Sequence, residues 1–176
     1  MSLSDAKAAD RAGDIEAAAA RYEKLLASGD HSLQILLSLA LLYWQATDPG
    51  LAAAKNIEPD FLTRAGRRAP ELFEEATRLY PGSTSARFWK RYIAWADLGE
   101  ALDVEECKQL LQEDPSVLIP AMYVFAISEG RDMKTEAYEL LQQCREDGTT
   151  GAQYVASVIE GVMKRAGQHQ DRGRRG

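Results

Sequence analysis

Two histidines, two cysteines and two adjacent glutamate pairs are the residues of this chain most able to do chemistry. His31 falls in a turn and His169 near the C-terminus, so neither is expected to have a positioned partner. Two histidines with the widely spaced Cys107 and Cys144 do not make a zinc ligand set, which takes four side chains converging at short spacings. Glu74-Glu75 and Glu105-Glu106 are direct neighbours. On a helix such neighbours point to different sides, so they read as solvated faces rather than as an acid and a base aimed at one substrate. No strand is apparent, and no Gly-rich phosphate loop follows one. These residues predict a protein that is not an enzyme and that holds no metal and no cofactor.

The bulk composition narrows the class further. A chain of 176 residues makes one domain or one short repeat array. Its 45% hydrophobic content is ordinary for a globular protein, and its abundance of Ala and Leu with only six Pro suits helices. The longest apolar stretch, 33–44, is interrupted by Gln34 and Ser38, short of the roughly 18 residues a membrane span takes. No basic stretch followed by an apolar core stands at the N-terminus, so the expectation is a cytoplasmic protein without a signal peptide. Cys107 and Cys144 then read as buried free thiols of a reducing compartment. The formal charge of −6 is uneven. Residues 164–176 hold five Lys/Arg and one Asp, a net of +4, which leaves −10 on the rest. An acidic body argues against a nucleic-acid duplex as the main partner, because phosphate binding needs a basic face.

The elements that carry these residues repeat. Pro81 and Pro115 are 34 apart, each after a helix-like run. Eight before each Pro stand Phe73 and Cys107, and a further 34 on stands Leu141. Five before each stand Ala76 and Leu110, followed at the same step by Cys144. Adding 51 to Tyr22 and Leu25 reaches Phe73 and Ala76, so the second unit carries about 17 extra residues. A repeat of this length built from helix pairs predicts an all-α solenoid: a right-handed superhelix of about four helix-turn-helix units plus a C-terminal capping helix. The expected domain covers 1–166, with units at 4–29, 31–81, 84–114 and 117–147 and the cap at 151–166. The insertion at 48–69 is expected to hold short helices near 51–55 and 59–67, with a break before a third helix at 70–79, because Pro59 and Pro70 suit helix starts. Residues 167–176 lack an apolar anchor and are expected to form a flexible basic tail.

These residues resemble the tetratricopeptide repeat (TPR) family. Gly13-Asp14, Ala18, Tyr22 and Leu25 match its turn and second helix. Leu36, Leu39, Ala40 and Tyr43 match the first helix of the next unit, completed by Ala69, Phe73, Ala76 and Pro81. The third and fourth units are more similar to half-a-TPR (HAT) repeats, through Trp89 and Tyr92 in Phe88-Trp89-Lys90-Arg91-Tyr92. Asp103, Cys107, Tyr123 and Ala126 depart from the residues those motifs use, so the choice of subfamily stays open. The resemblance covers roughly residues 5–165. It implies helix pairs whose first helices line a concave face. Some TPR proteins grip a peptide carboxylate there with a Lys/Asn/Arg clamp, but the matching positions are Gln34, Leu37, Ser38 and Leu41, which form none.

Eight of the fourteen aromatic residues fall on three predicted first helices: Tyr43, Trp44, Phe88, Trp89, Tyr92, Trp95, Tyr123 and Phe125. Packing between stacked helices accounts for Tyr43, Trp89 and Tyr92. The functional alternative is an aromatic groove for a peptide or helix of another protein, with Trp44, Leu37, Leu41, Phe88, Lys90, Arg91 and Trp95 as its partner-binding residues. The function expected is therefore a protein–protein interaction scaffold. The alternative is a HAT-like scaffold of an RNA-processing assembly, with weak RNA contact through the basic tail. No membrane partner is expected, and the open ends of such an array leave room for a homodimer.

Overall fold

The computed structural model describes the backbone of residues 2–173 and the side chains of residues 2–168. Among the described residues there are ten α-helices and no strand. They are α1 (Leu3–Arg11), α2 (Ile15–Ala27), α3 (Leu33–Ala46), α4 (Pro49–Lys55), α5 (Pro59–Leu79), α6 (Thr84–Leu98), α7 (Val104–Glu113), α8 (Ile119–Ile127), α9 (Lys134–Asp147) and α10 (Thr150–Gly173). The backbone forms two compact units. One is the chain up to Ala86 with Gly148–Gly151, and the other is Arg87–Asp147 with the chain from Ala152 onward.

In the first unit, α1 opens with a capping box. Asp5 N–H donates to Ser2 Oγ at 3.3 Å, and Ser2 N–H donates to Asp5 Oδ2 at 2.7 Å. Gly13, at φ 72°, turns the chain, and Asp14 caps α2 through Ala17 N–H at 3.2 Å. Small residues Ala6, Ala9, Ala18 and Ala19 are buried and let α1 and α2 approach closely. α3 is buried on nearly every side, from Ile35 to Ala46, because α2 packs on one face and α5 on another. The short α4 starts with Asp48 accepting from Leu51 N–H at 2.8 Å, buries none of its residues, and ends at Asn56 in the left-handed region.

The expected break before Pro70 does not occur. α5 runs unbroken through it for 21 residues. Proline there removes one bond to the Gly66 carbonyl. Against that loss, Phe61, Ala65, Ala69, Leu72, Phe73 and Ala76 form one buried stripe that continues across position 70. Packing that stripe on α3 outweighs one missing bond.

The first unit also contains a contact across 140 residues. Asp10, only 1% exposed, accepts from Thr150 N–H at 2.8 Å and from Thr150 Oγ at 2.6 Å. Tyr22 Oη donates to its other oxygen at 3.3 Å. One turn along the same surface, a Cβ on Gly151 would lie 2.9 Å from Leu41 Cδ1 and 3.1 Å from Leu41 Cβ. In an open array each repeat touches only its neighbours. The start of α10 is thus more than a terminal cap, for it docks on α1 and α3.

In the second unit, α8 packs between α7 and α9. α8 is apolar almost throughout, and Pro120–Phe125 is fully enclosed. α10 contributes Val155, Ile159 and Val162, a stripe at helical spacing that is buried to within 2%. The 34-residue register has a uniform physical meaning in both units. Tyr22, Phe73, Cys107 and Leu141 are all buried, and so are Leu25, Ala76, Leu110 and Cys144. α10 continues past the expected cap end at 166 to Gly173, so the backbone of 167–173 extends that helix instead of forming a separate tail. Helix propagation adds one bond per residue once the packed stripe has nucleated it. Arg174, Arg175 and Gly176 lie outside the described residues.

Two substitutions test the Asp10 contact. Asp10→Ala strands the two Thr150 donors and lowers unfolding free energy by about 3 kcal/mol in urea titrations, while Asp10→Asn, which keeps an acceptor, costs less. Gly151→Ala drives a methyl into Leu41 and costs about 1–3 kcal/mol. An Asp10→Ala protein as stable as wild type would show that the contact contributes nothing.

Candidate functional site

The predicted groove residues divide between the two units, and burial separates them sharply. In the first unit Leu37 and Leu41 are enclosed on α3, and Leu41 faces Gly151 at the start of α10. Trp44, near the end of α3, is half-buried. In the second unit Phe88 is fully enclosed, so it holds helices together and offers a partner no surface. Leu37, Leu41 and Phe88 therefore leave the candidate site. Their apolar character, which suggested a groove, serves the core.

Arg91 has an internal role too. Its Nε donates to Glu106 Oε1 at 3.0 Å, and its terminal nitrogens donate to Glu100 at 3.3 Å and to the Ala101 carbonyl at 2.7 Å. It fastens the loop between α6 and α7, and the neighbouring Arg87 pairs with Glu113. Lys90 remains half-buried on α6.

Most aromatics of the second unit gather on Tyr92. Phe88, Trp89 and Trp95 surround its ring at 5.4, 5.5 and 5.3 Å between centroids. Tyr123 from α8 and Tyr154 from α10 each stand at 6.3 Å. The Tyr92 and Tyr154 hydroxyls share a 2.6 Å hydrogen bond, and Tyr123 Oη donates to the Leu102 carbonyl at 2.8 Å. Burial raises the pKa of all three phenols, which stay neutral at physiological pH. Edge-on and tilted ring contacts of this kind stabilise beyond the area they bury.

Trp95 is the outer member of this cluster. It is half-buried, with its ring held 5.1 Å from Tyr123. One turn further along α6, Leu98 is 74% exposed. The pair forms an apolar edge whose inner half is rigid. Of the predicted apolar residues, Trp95 and Trp44 keep exposed surface, and so do the charged Lys90 and Arg91. Leu98 was missed because its position beside Gly99 reads as a helix end.

Of the remaining chemical candidates, His31, Glu75, Glu105 and Glu106 have partners, and the His169 side chain lies outside the described residues. His31 has the positioned partner that its turn location did not predict: Nδ1 lies 2.7 Å from Glu75 Oε1. The Tyr80 hydroxyl donates to the His31 carbonyl at 3.1 Å. Glu105 pairs with Lys108 and Glu106 with Arg91, on different sides of α7. Among the described residues, no three or more His, Cys, Asp or Glu side chains converge to hold a metal. No helix described is long and apolar enough to cross a membrane. Comparison with protein-family models, curated proteins and solved structures gives no match.

Cys107 on α7 and Cys144 on α9 are free and buried, at two different positions of the 34-residue register. Burial pushes the Cys107 thiol up to about 12 and the Cys144 thiol up to about 11. In the unfolded chain both ionise near the ordinary value of about 8.5. The folded state thus holds these protons more tightly. Its advantage is complete below that ordinary value and is lost as pH rises through about 11 and then about 12. Two outcomes follow. Unfolding free energy falls steeply across that alkaline window, less so in Cys107→Ala relative to its own neutral-pH value. A disulfide reagent at about pH 8 labels neither thiol of the folded protein and both in concentrated guanidinium chloride. Rapid labelling of the folded protein would contradict the burial.

Proposed function

We propose that this chain is a TPR- or HAT-like helical-repeat module acting as a protein–protein interaction scaffold. In this reading α1/α2, α3/α5, α6/α7 and α8/α9 are four repeat pairs of a right-handed superhelix, with α4 inserted in the second. The observation that carries it is the recurrence of buried residues at one register position: Tyr22, Phe73, Cys107 and Leu141. A repeat that cannot bury its own apolar face needs stacked neighbours, and such arrays present extended surfaces for partners.

The docking edge we favour is Trp95 with Leu98, which would seat an apolar face of a partner's helix or peptide. The cluster around Tyr92 fixes the Trp95 ring before any partner arrives, so little side-chain freedom is lost on binding. Exposed Leu98 adds apolar area beside it. Two free, buried thiols suit a reducing cytosol, where the scaffold would act.

Affinity capture from the native host, with wild type and a Trp95→Ala/Leu98→Ala protein side by side, tests this reading. Partners held by wild type are expected to weaken by about tenfold or more in the double variant, since central aromatic anchors dominate interface energies. Equal retention of every partner would rule out this edge. Parallel capture with Trp44→Ala asks the same question of α3.

A further inference from the structure

A cleft of about 510 Å³ opens in the second unit where the turn between α8 and α9 meets the C-terminal half of α10. That volume lies within the range of about 300–1,000 Å³ typical of small-molecule sites. Three cations line it, each from a different segment: Arg131 from the turn, Lys134 from the first residue of α9, and Arg165 from α10. Glu129 is the single acid in the lining, so the cleft carries a formal +2 within a chain of net charge −6. Its remaining walls are apolar, with Ala126, Val162 and Ala166 among them.

Other cations of this unit are matched among the described residues, Arg87 with Glu113 and Arg91 with Glu106 as above. Arg145 bonds Glu160 at 2.7 Å, and Lys108 stands 3.2 Å from Glu105. Asp132, the neighbour of Arg131, is turned to Lys108 Nζ at 4.0 Å. Lys134 and Arg165 make no ion pair among the described residues. Three like charges gathered against the single carboxylate of Glu129 repel one another, and an anion between them relieves that repulsion.

The turn is also built rigidly. Gly130 N–H donates to the Phe125 carbonyl at 2.8 Å, Asp132 N–H to Ser128 Oγ at 2.9 Å, and Arg131 Nε to the Ser128 carbonyl at 2.8 Å. Glu129 and Met133 both hold left-handed φ, 55° and 56°, which costs free energy in residues other than glycine. Gly130 sits between them at φ 82°, and a Cβ there would come within 3.3 Å of Val162 and 3.4 Å of Phe125. The chain thus keeps a strained turn pressed against α10, with Arg131 fixed beside the start of α9.

We propose that this cleft binds a small organic anion, a carboxylate or phosphate ester with a compact apolar tail. The head group would sit among Arg131, Lys134 and Arg165, where charge-assisted hydrogen bonds are strong, and the tail against Val162 and its neighbours. A cluster of this size, set in an acidic body, suits a single head group and not a phosphate backbone, which needs a continuous basic track.

Calorimetric titration of the full chain with isobutyl phosphate, isovalerate and inorganic phosphate tests the proposal. Saturable binding of one organic anion is expected, tighter than inorganic phosphate, with the first two probes distinguishing phosphate from carboxylate. Lys134→Gln/Arg165→Gln should weaken it by about tenfold or more, and both side chains are exposed, so the fold is retained, as circular dichroism would verify. Lys164→Gln, on the same helix outside the lining, should bind as wild type does. The proposal is overturned if no probe saturates, if inorganic phosphate binds as tightly as the organic anions, or if the double variant binds unchanged.

Discussion

A buried carboxyl must have its oxygens answered by donors, and Asp10 is answered by residues 12 and 140 positions away. Leaving such a group unpaired in a low-dielectric interior costs several kcal/mol. The requirement therefore constrains everything around it. α2 has to present Tyr22 toward the end of α1, and the chain has to return to this unit at Gly148–Gly151 to present Thr150. The return then imposes a glycine next door, because Gly151 lies against Leu41 where no side chain fits. One polar group thus sets the path of α10 at its start, in surroundings that are otherwise apolar.

The second unit is organised by aromatic contact instead. Tyr92 touches rings from its own helix, from α8 and from α10, and its hydroxyl is satisfied by that of Tyr154. Of the residues that looked like a binding surface along α6, Phe88 belongs to its core. The cluster meets solvent at Trp95 and Leu98, the edge proposed above for docking. An anchored ring with one open side is a better docking element than a row of mobile ones, because its ordering is complete before binding.

Much of the helical pattern was legible in local sequence. Capping residues Asp14 and Asp48 and turn glycines Gly13 and Gly130 mark element ends, because capping and left-handed turns depend on residues a few positions apart. Pro70 shows the limit of such reasoning. Its local preference is to start a helix, yet the stripe from Phe61 to Ala76 carries α5 through it. Asp10 left a faint signal, an acid four residues from Ala6 on the buried face of α1. Leu37, Leu41 and Phe88 had none, since an apolar residue on a helix reads the same whether its neighbour is solvent or another helix.

Sequence alone determined the all-helical composition, the register that buries Tyr22, Phe73, Cys107 and Leu141, and the uneven charge, because periodicity, capping and charge are properties of neighbours along the chain. Tertiary structure decided what those helices face. The Thr150 donors on Asp10, the Tyr154 hydroxyl on Tyr92 and the meeting of Arg131, Lys134 and Arg165 around one cleft join residues with no shared period. Such groups come together only when packing of the apolar stripes has fixed which helices lie side by side, and that packing is a property of the folded chain as a whole.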